Sequence, residues 1–209
     1  MAVSARVART TRLREWISPL LVAVGIYVLS QQWSGLDTPD SEFYASLAIF
    51  TDAVTDRAPI DSYYWTRLGL IAPAHLAISF LGIWEGFAVY KAFITLTLSA
   101  SLFSIFRQFT GFWRATWLTA AGASSSIVVA YLGNPYVSAT VVAGLAALLA
   151  FTIHGRLWGA IGGGIALGWL VMTYPTGALL GLTISVSMVT YRLRSSTPDW
   201  SRIVPRSAT

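Results

Sequence analysis

The feature that most constrains this chain is a succession of long apolar segments separated by short breaks. A helix that crosses a lipid bilayer needs about 20 mostly apolar residues, with about 17 as a lower limit. Glycine and proline mark the breaks, because both residues interrupt helix continuation. The pattern predicts an all-α, polytopic transmembrane helix bundle of about seven spans. The predicted spans are residues 16–32, 67–84, 87–106, 113–132, 136–153, 157–173 and 175–192.

The composition agrees with a lipid environment. Of the 209 residues, 55% are hydrophobic and 11% are charged, whereas a soluble domain carries about 25% charged residues. So few charges could not cover a surface that faces water. The net charge of +5 does not indicate nucleic-acid binding, because the basic residues lie in terminal clusters and interhelical loops, where they contact lipid headgroups. The chain contains no cysteine, which excludes disulfides and cysteine-based metal sites.

The basic residues at the start of the chain predict its orientation. Residues 1–15 form a basic segment that we expect in the cytoplasm, and the first apolar run lacks a signal-peptidase site, which favours an uncleaved helix. Seven spans would place Arg107, Arg114 and the C-terminal arginines outside, against the positive-inside bias. A six-span topology would resolve the conflict at the C-terminus. Residues 193–209 are expected to form a disordered, polar, basic tail.

Residues 33–66 form the one long loop, and the predicted orientation places this loop outside. It carries six of the nine acidic residues, namely Asp37, Asp40, Glu42, Asp52, Asp56 and Asp61. The spacing of Phe43, Leu47, Phe50 and Val54 predicts an amphipathic juxtamembrane helix that lies in the membrane interface. Thr38 and Pro39 are typical of a helix start. Asp40 then falls in the first turn, where helix capping alone would also explain a carboxylate.

Few other residues suggest chemistry. The chain has no P-loop, no HExxH, no GxSxG and no paired-histidine metal motif. His75 lies inside the second predicted span, and we favour an interhelical hydrogen bond over a functional role for it. His154 is interpreted as an interface anchor. The glycine pairs 159/163 and 164/168 predict close helix packing rather than phosphate binding.

The order of these features resembles the N-terminal half of a GT-C superfamily glycosyltransferase, the group that includes protein mannosyltransferases and aminoarabinose transferases. In that family an acidic motif, Asp-Glu-x-x-Tyr, follows the first helix, and the segment 40–44 (Asp-Ser-Glu-Phe-Tyr) is similar apart from an intervening serine. Further similarities are weaker and comprise Arg57-Ala58-Pro59, Tyr63-Tyr64-Trp65-Thr66-Arg67, Leu81-Gly82, Lys91 and Tyr174-Pro175. The resemblance covers residues 16–192, and most family members continue with further helices.

The resemblance implies transfer of a sugar from a polyprenyl-phosphate carrier to an acceptor on the outer face of the membrane. It implies a carboxylate as general base, with Asp40 first and Asp37 second because the interrupted motif leaves both in competition. It further implies that Arg67, helped by Arg57, stabilises the departing phosphate. The remaining candidates for substrate binding are Glu42, Tyr44, Tyr63 and Tyr64. No metal ligands are predicted, although a divalent metal is compatible with the chemistry.

Two other functions stay open. A non-catalytic subunit or scaffold would keep the fold and the lipid groove, and a partner chain would then complete the enzyme. A small transporter would carry charges inside the membrane and an internal repeat, whereas here the acidic residues collect in one loop and no repeat is detectable. Membrane lipids are expected partners and nucleic acid is not. The abundance of Ala, Gly and Val, with Arg in preference to Lys, suggests a bacterial cytoplasmic membrane.

Overall fold

The computed structural model describes residues 2–30, 39–50, 67–133, 137–154 and 157–196. Every regular element in these ranges is an α-helix, as the sequence predicts. The nine helices of the described ranges are α1 (Ala2–Leu29), α2 (Pro39–Ile49), α3 (Leu68–Leu81), α4 (Ile83–Phe109), α5 (Phe112–Ala123), α6 (Ser126–Gly133), α7 (Val137–His154), α8 (Leu157–Thr173) and α9 (Pro175–Ser196). The polar tail predicted over 193–209 lies outside the described residues from 197 onward.

Several helix bounds match the predicted segments. α8 covers the predicted residues 157–173, and α7 is displaced by one residue from the predicted 136–153. The predicted segment 113–132 is instead divided into α5 and α6 at Ser124 and Ser125. Serine hydroxyls compete with the helical backbone for hydrogen bonds, and two in succession, directly after α5 ends at Ala123, favour the break.

Two of the described helices, α4 and α7, are long and apolar enough to cross a membrane, with 27 and 18 residues. In α1, α3, α8 and α9 the apolar parts are shorter, at 10–17 residues, so the seven predicted spans are not confirmed. Many large apolar side chains nevertheless point away from the protein. Phe80 is 80% exposed and Trp84 is 78% exposed, and comparable side chains cover α1, α8 and α9.

Contacts along α4 fix the directions of its neighbours. Near the start of α4, Lys91 Nζ donates a hydrogen bond to the carbonyl oxygen of Ser30, and near its end Arg107 Nη2 lies 3.0 Å from Glu15 Oε1. Helix α1 is therefore antiparallel to α4. We call the two ends of the bundle the Lys91 end and the Arg107 end. Helix α1 runs toward the Lys91 end, and α4 runs back to the Arg107 end.

The later helices alternate in the same way. Tyr90 Oη bonds Thr140 Oγ1 at 2.7 Å and Gln108 Nε2 approaches His154 Nε2 at 3.5 Å, so α7 is parallel to α4. Helix α8 returns beside α7, with Gly159 against Phe151 and Gly144 against Leu170. In α9, Ser185 accepts a hydrogen bond from Thr152 Oγ1 at 3.2 Å, while Gly177 lies beside Val141. Helix α9 therefore runs parallel to α7, toward the Arg107 end.

Helix α3 does not follow this alternation. Its first turn contacts the end of α8, because Gly69 lies against Trp169 and Thr173, and Thr173 lies at the Lys91 end. Its last turn leads into a hairpin at Gly82, where the backbone has a φ of 92° that favours glycine, and Ile78 packs on Gly86 of α4. The segment predicted as the second span thus stays at the Lys91 end. Its 14 residues extend about 21 Å at 1.5 Å per residue.

Of the two predicted glycine pairs, one packs and the other faces open space. A methyl group at Gly159 would lie 2.7 Å from the carbonyl oxygen of Phe151, and one at Gly163 would contact Phe151 and Leu148. A methyl group at Gly164 or Gly168 would meet nothing within 4 Å. The prediction of close packing is therefore confirmed for the pair 159/163 and is wrong for 164/168.

The close approach of α3 and α4 at Gly86 can be tested by adding a methyl group. In Gly86→Ala the new carbon would lie 2.5 Å from the Cα of Ile78, and overpacking of this kind costs about 1–3 kcal/mol. We expect a lower unfolding temperature in detergent, measured by intrinsic tryptophan fluorescence. Gly164→Ala is the matched control, since its methyl group enters open space and should leave the protein as stable or more stable. Equal unfolding temperatures for the two variants would contradict the α3–α4 packing.

Candidate functional site

The candidate site residues of the sequence divide into three groups. Asp37, Arg57, Tyr63 and Tyr64 lie outside the described residues. Asp40 and Glu42 lie in the first turn of α2, and their side chains lie outside the described part of the structure. Tyr44 and Arg67 are described in full, and both are buried. The structure therefore shows which elements carry the candidates at the Lys91 end, and it shows side-chain contacts for two of them.

Helix α2 begins at Pro39, the residue that the sequence predicts for the first helical position. Its buried face consists of Tyr44, Ala45, Leu47 and Ala48. Of the predicted apolar face, Leu47 is buried, whereas Phe50 follows the last turn and is 57% exposed. The side chain of Phe43 and the residue Val54 lie outside the described part of the structure. Helix α2 packs against α3, and its placement in the membrane interface stays a prediction, because a residue that contacts lipid is exposed on the protein itself.

A histidine joins α2 to α3. His75 Nδ1 donates a hydrogen bond to the carbonyl oxygen of Ala48 at 2.8 Å. This confirms the interhelical hydrogen bond predicted for His75, and it satisfies a carbonyl in the last turn of α2, where carbonyl groups have no intrahelical partner. Tyr44 lies on the same buried face of α2 at 1% exposure, so it belongs to the core that holds the helix in place.

Arg67 binds the end of α8. It is 2% exposed, its Nη1 donates to the carbonyl oxygen of Thr173 at 3.0 Å, and its guanidinium lies 4.4 Å from the ring centroid of Tyr174. Thr173 is the last residue of α8, where the carbonyls lack helical partners and the helix dipole is negative. The arginine predicted to bind phosphate therefore has a carbonyl acceptor and an aromatic face within the protein.

Further contacts fasten the same junction. Trp169 Nε1 donates to the carbonyl oxygen of Gly69 at 2.7 Å, and Thr173 Oγ1 donates to the carbonyl oxygen of Trp169 at 2.7 Å. The ring of Phe93 lies 5.6 Å from that of Trp169. The first turn of α3, the last turn of α8 and the first half of α4 are thus packed together next to Arg67.

Lys91 repeats the arrangement at the end of α1. It is 5% exposed, its Nζ donates to the carbonyl oxygen of Ser30, and it lies 5.3 Å from the ring centroid of Tyr27. Ser30 directly follows α1. In the sequence, Lys91 was noted only as one of the weaker similarities to the GT-C superfamily, without a structural role. The signal for its structural role was a lone lysine inside an apolar segment, which requires a partner.

The described residues contain no group of three or more His, Asp or Glu side chains that could hold a metal ion. Comparisons with protein-family models, with curated proteins and with solved structures find no match. At the Lys91 end, the two buried cations Arg67 and Lys91 each donate a hydrogen bond to the end of a helix. The acidic first turn of α2 lies at the same end of the bundle.

The structural role of Arg67 predicts a stability loss on its removal. Arg67→Met should destabilise the protein by about 1–3 kcal/mol, the cost of leaving a buried carbonyl without its donor. Arg67→Lys keeps a cation but loses the planar group that stacks on Tyr174, so we expect an intermediate loss. The measurement is the unfolding temperature in detergent. Arg114→Met, which removes an exposed arginine, should change it little, and a loss at Arg114 equal to that at Arg67 would contradict the assignment.

Proposed function

We propose that this chain is an integral membrane protein that crosses the bilayer six times. The crossings are α1, α4, α5 with α6, α7, α8 and α9, and α3 stays at the Lys91 end. The exposed apolar surface supports this proposal, because a soluble protein rarely exposes such contiguous large apolar area. Helices with apolar parts of 15 to 18 residues, as in α1, α7, α8 and α9, lie near or below the lower limit for a span, and slight thinning of the bilayer accommodates them.

The charge distribution supports six crossings and an orientation. Arg107 and Arg114 lie at the end of the bundle where α1 begins, and α9 carries Arg192 and Arg194 into that same end. The arginines of residues 1–15 precede the apolar part of α1. Positive residues near helix ends favour the cytoplasmic side, so the Arg107 end faces the cytoplasm. The acidic first turn of α2 and Glu85 then face outward, and the conflict created by seven spans disappears.

Single-cysteine labelling distinguishes six crossings from seven, since the natural sequence has no cysteine. With six crossings, Glu85→Cys reacts with an impermeant maleimide in intact cells, and Gly111→Cys reacts only after permeabilisation. Seven spans predict the opposite result at both positions. Both sites are exposed in the structure, so absence of labelling cannot be attributed to burial within the protein.

We further propose that the outward end is the site of a glycosyltransferase that uses a polyprenyl-phosphate sugar in a bacterial cytoplasmic membrane. The supporting observation is the placement of α2. This helix brings Asp40 and Glu42 to the outward end and packs against α3, the helix that Arg67 precedes. A general base and a cationic group at one end of the bundle are what transfer from a phosphate leaving group requires.

In this mechanism Asp40 accepts the proton of the acceptor hydroxyl as the hydroxyl oxygen attacks the anomeric carbon. The bond from that carbon to the phosphate oxygen breaks, and the polyprenyl phosphate leaves with its negative charge. Arg67 contacts phosphate directly only if it exchanges the Thr173 carbonyl for a phosphate oxygen. Otherwise Arg67 positions α3, and Arg57 contacts the phosphate.

The role of Asp40 can be tested in proteoliposomes with radiolabelled polyprenyl-phosphate sugars and membrane extracts as acceptors. Asp40→Asn should lower sugar transfer by about 10²–10⁴-fold, the usual contribution of a general base. Glu85→Gln removes an exposed carboxylate from the same end and should leave transfer unchanged. Full activity of Asp40→Asn would exclude Asp40 as the base and would move the assignment to Asp37.

The burial of Arg67 favours a second candidate, a non-catalytic membrane subunit. A guanidinium that binds the end of α8 and lies on Tyr174 already has a structural function, as does the buried Tyr44. Native mass spectrometry with undecaprenyl phosphate separates the two candidates. Specific retention of the lipid that weakens in Arg57→Ala supports the enzyme. If the folded protein does not retain undecaprenyl phosphate, the result supports the non-catalytic subunit, and the next step is to identify its partner chain.

A further inference from the structure

A cavity of about 750 Å³ opens at the Arg107 end, away from the proposed glycosyltransferase site. Residues of α1, α4, α7 and α8 line it, and its volume falls within the range of about 300–1,000 Å³ that is usual for ligand sites. Its apolar wall includes Trp16, Phe103 and Phe151. In the proposed orientation the cavity lies in the cytoplasmic leaflet, so it faces lipid along its side and headgroups at its mouth.

Six polar side chains lie on the rest of the lining, namely Glu15, Ser101, Ser104, Arg107, Gln108 and His154. Two of them carry charges of opposite sign. Glu15 Oε1 and Arg107 Nη2 form an ion pair at 3.0 Å, and each side chain is 42% exposed. His154 Nδ1 donates to the carbonyl oxygen of Ala150 at 2.8 Å, which leaves its Nε2 facing Gln108 at 3.5 Å. The cavity therefore combines an apolar wall with a carboxylate, a guanidinium, an amide and an imidazole.

We propose that this cavity binds one phospholipid with an ethanolamine headgroup. Arg107 takes the phosphate, since guanidinium binds phosphate oxygens in a bidentate manner, and Glu15 takes the ammonium group. The apolar wall takes the upper part of an acyl chain. A half-exposed ion pair contributes only about 0–1 kcal/mol to stability. Breaking the pair between Glu15 and Arg107, so that each side chain binds one charge of the headgroup, therefore costs little.

The two charges specify this headgroup over the alternatives. Phosphatidylglycerol offers the phosphate to Arg107 but leaves the Glu15 carboxylate beside a headgroup without a cation. Phosphatidylcholine offers a cation that cannot donate hydrogen bonds, whereas the ammonium of ethanolamine has three donors, as lysine does. The inference rests on the proposed membrane placement and is independent of the proposed sugar transfer, because the cavity and the acidic residues of α2 lie at opposite ends.

Native mass spectrometry of the full chain in detergent tests the proposal, with phosphatidylethanolamine, phosphatidylcholine and phosphatidylglycerol of equal chain length added in turn. We expect the wild-type protein to retain phosphatidylethanolamine at least about fivefold more than the other two. Arg107→Ala should abolish this retention, and Glu15→Gln should remove the preference over phosphatidylglycerol. Arg114→Ala, an exposed arginine at the same end that does not line the cavity, is the matched control and should retain the lipid.

A second variant keeps the test valid if Arg107→Ala fails to fold. Ser104→Trp fills the cavity from α4 without changing its charge, and it should also abolish retention. Equal retention of the three lipids by the wild-type protein, or unchanged retention in both Arg107→Ala and Ser104→Trp, would overturn the proposal. Carbonate extraction of cell membranes tests the membrane placement separately from the lipid site. A chain that stays in the pellet but shows no lipid preference contradicts the lipid site alone.

Discussion

The structure depends on how two helices end within apolar surroundings. The last carbonyl groups of a helix have no intrahelical donors, and leaving such groups buried and unpaired costs about 1–3 kcal/mol each. Here Lys91 donates to the carbonyl after α1, and Arg67 donates to the last carbonyl of α8. Both cations lie near a tyrosine ring. A cation at a helix C-terminus also meets the negative end of the helix dipole, which strengthens both contacts.

These two contacts determine the arrangement at the Lys91 end. Arg67 precedes α3, so its bond to Thr173 fixes where α3 begins, and the hairpin at Gly82 fixes where it ends. Helix α2 then packs on α3 through the hydrogen bond between His75 and Ala48. The acidic first turn of α2 is thus attached to the bundle through α3. The position of this acidic turn therefore depends on the hydrogen bonds of Arg67 and His75.

The two ends of the bundle differ in chemistry, and the proposals follow that difference. The Arg107 end collects exposed arginines, an ion pair and a cavity with charges of both signs, which suits phospholipid headgroups. The Lys91 end combines buried cations with the acidic turn of α2, and the proposed sugar transfer is placed there. Because the two proposed sites lie at opposite ends, we expect a substitution at one end to leave the other proposed site unchanged.

The sequence by itself determined the helical class, several helix bounds and the start of α2, because apolar run length, proline and glycine act locally. Helix α8 and the first residue of α2 were predictable on those grounds. The tertiary structure decided what depends on contacts between distant residues. It kept α3 at one end because Gly69 and Gly86 pack on other helices. It also decided that Arg67 and Lys91 donate hydrogen bonds to helix ends. The sequence could not predict these contacts, because the length and periodicity of an apolar segment do not indicate which distant carbonyl group a cation will contact.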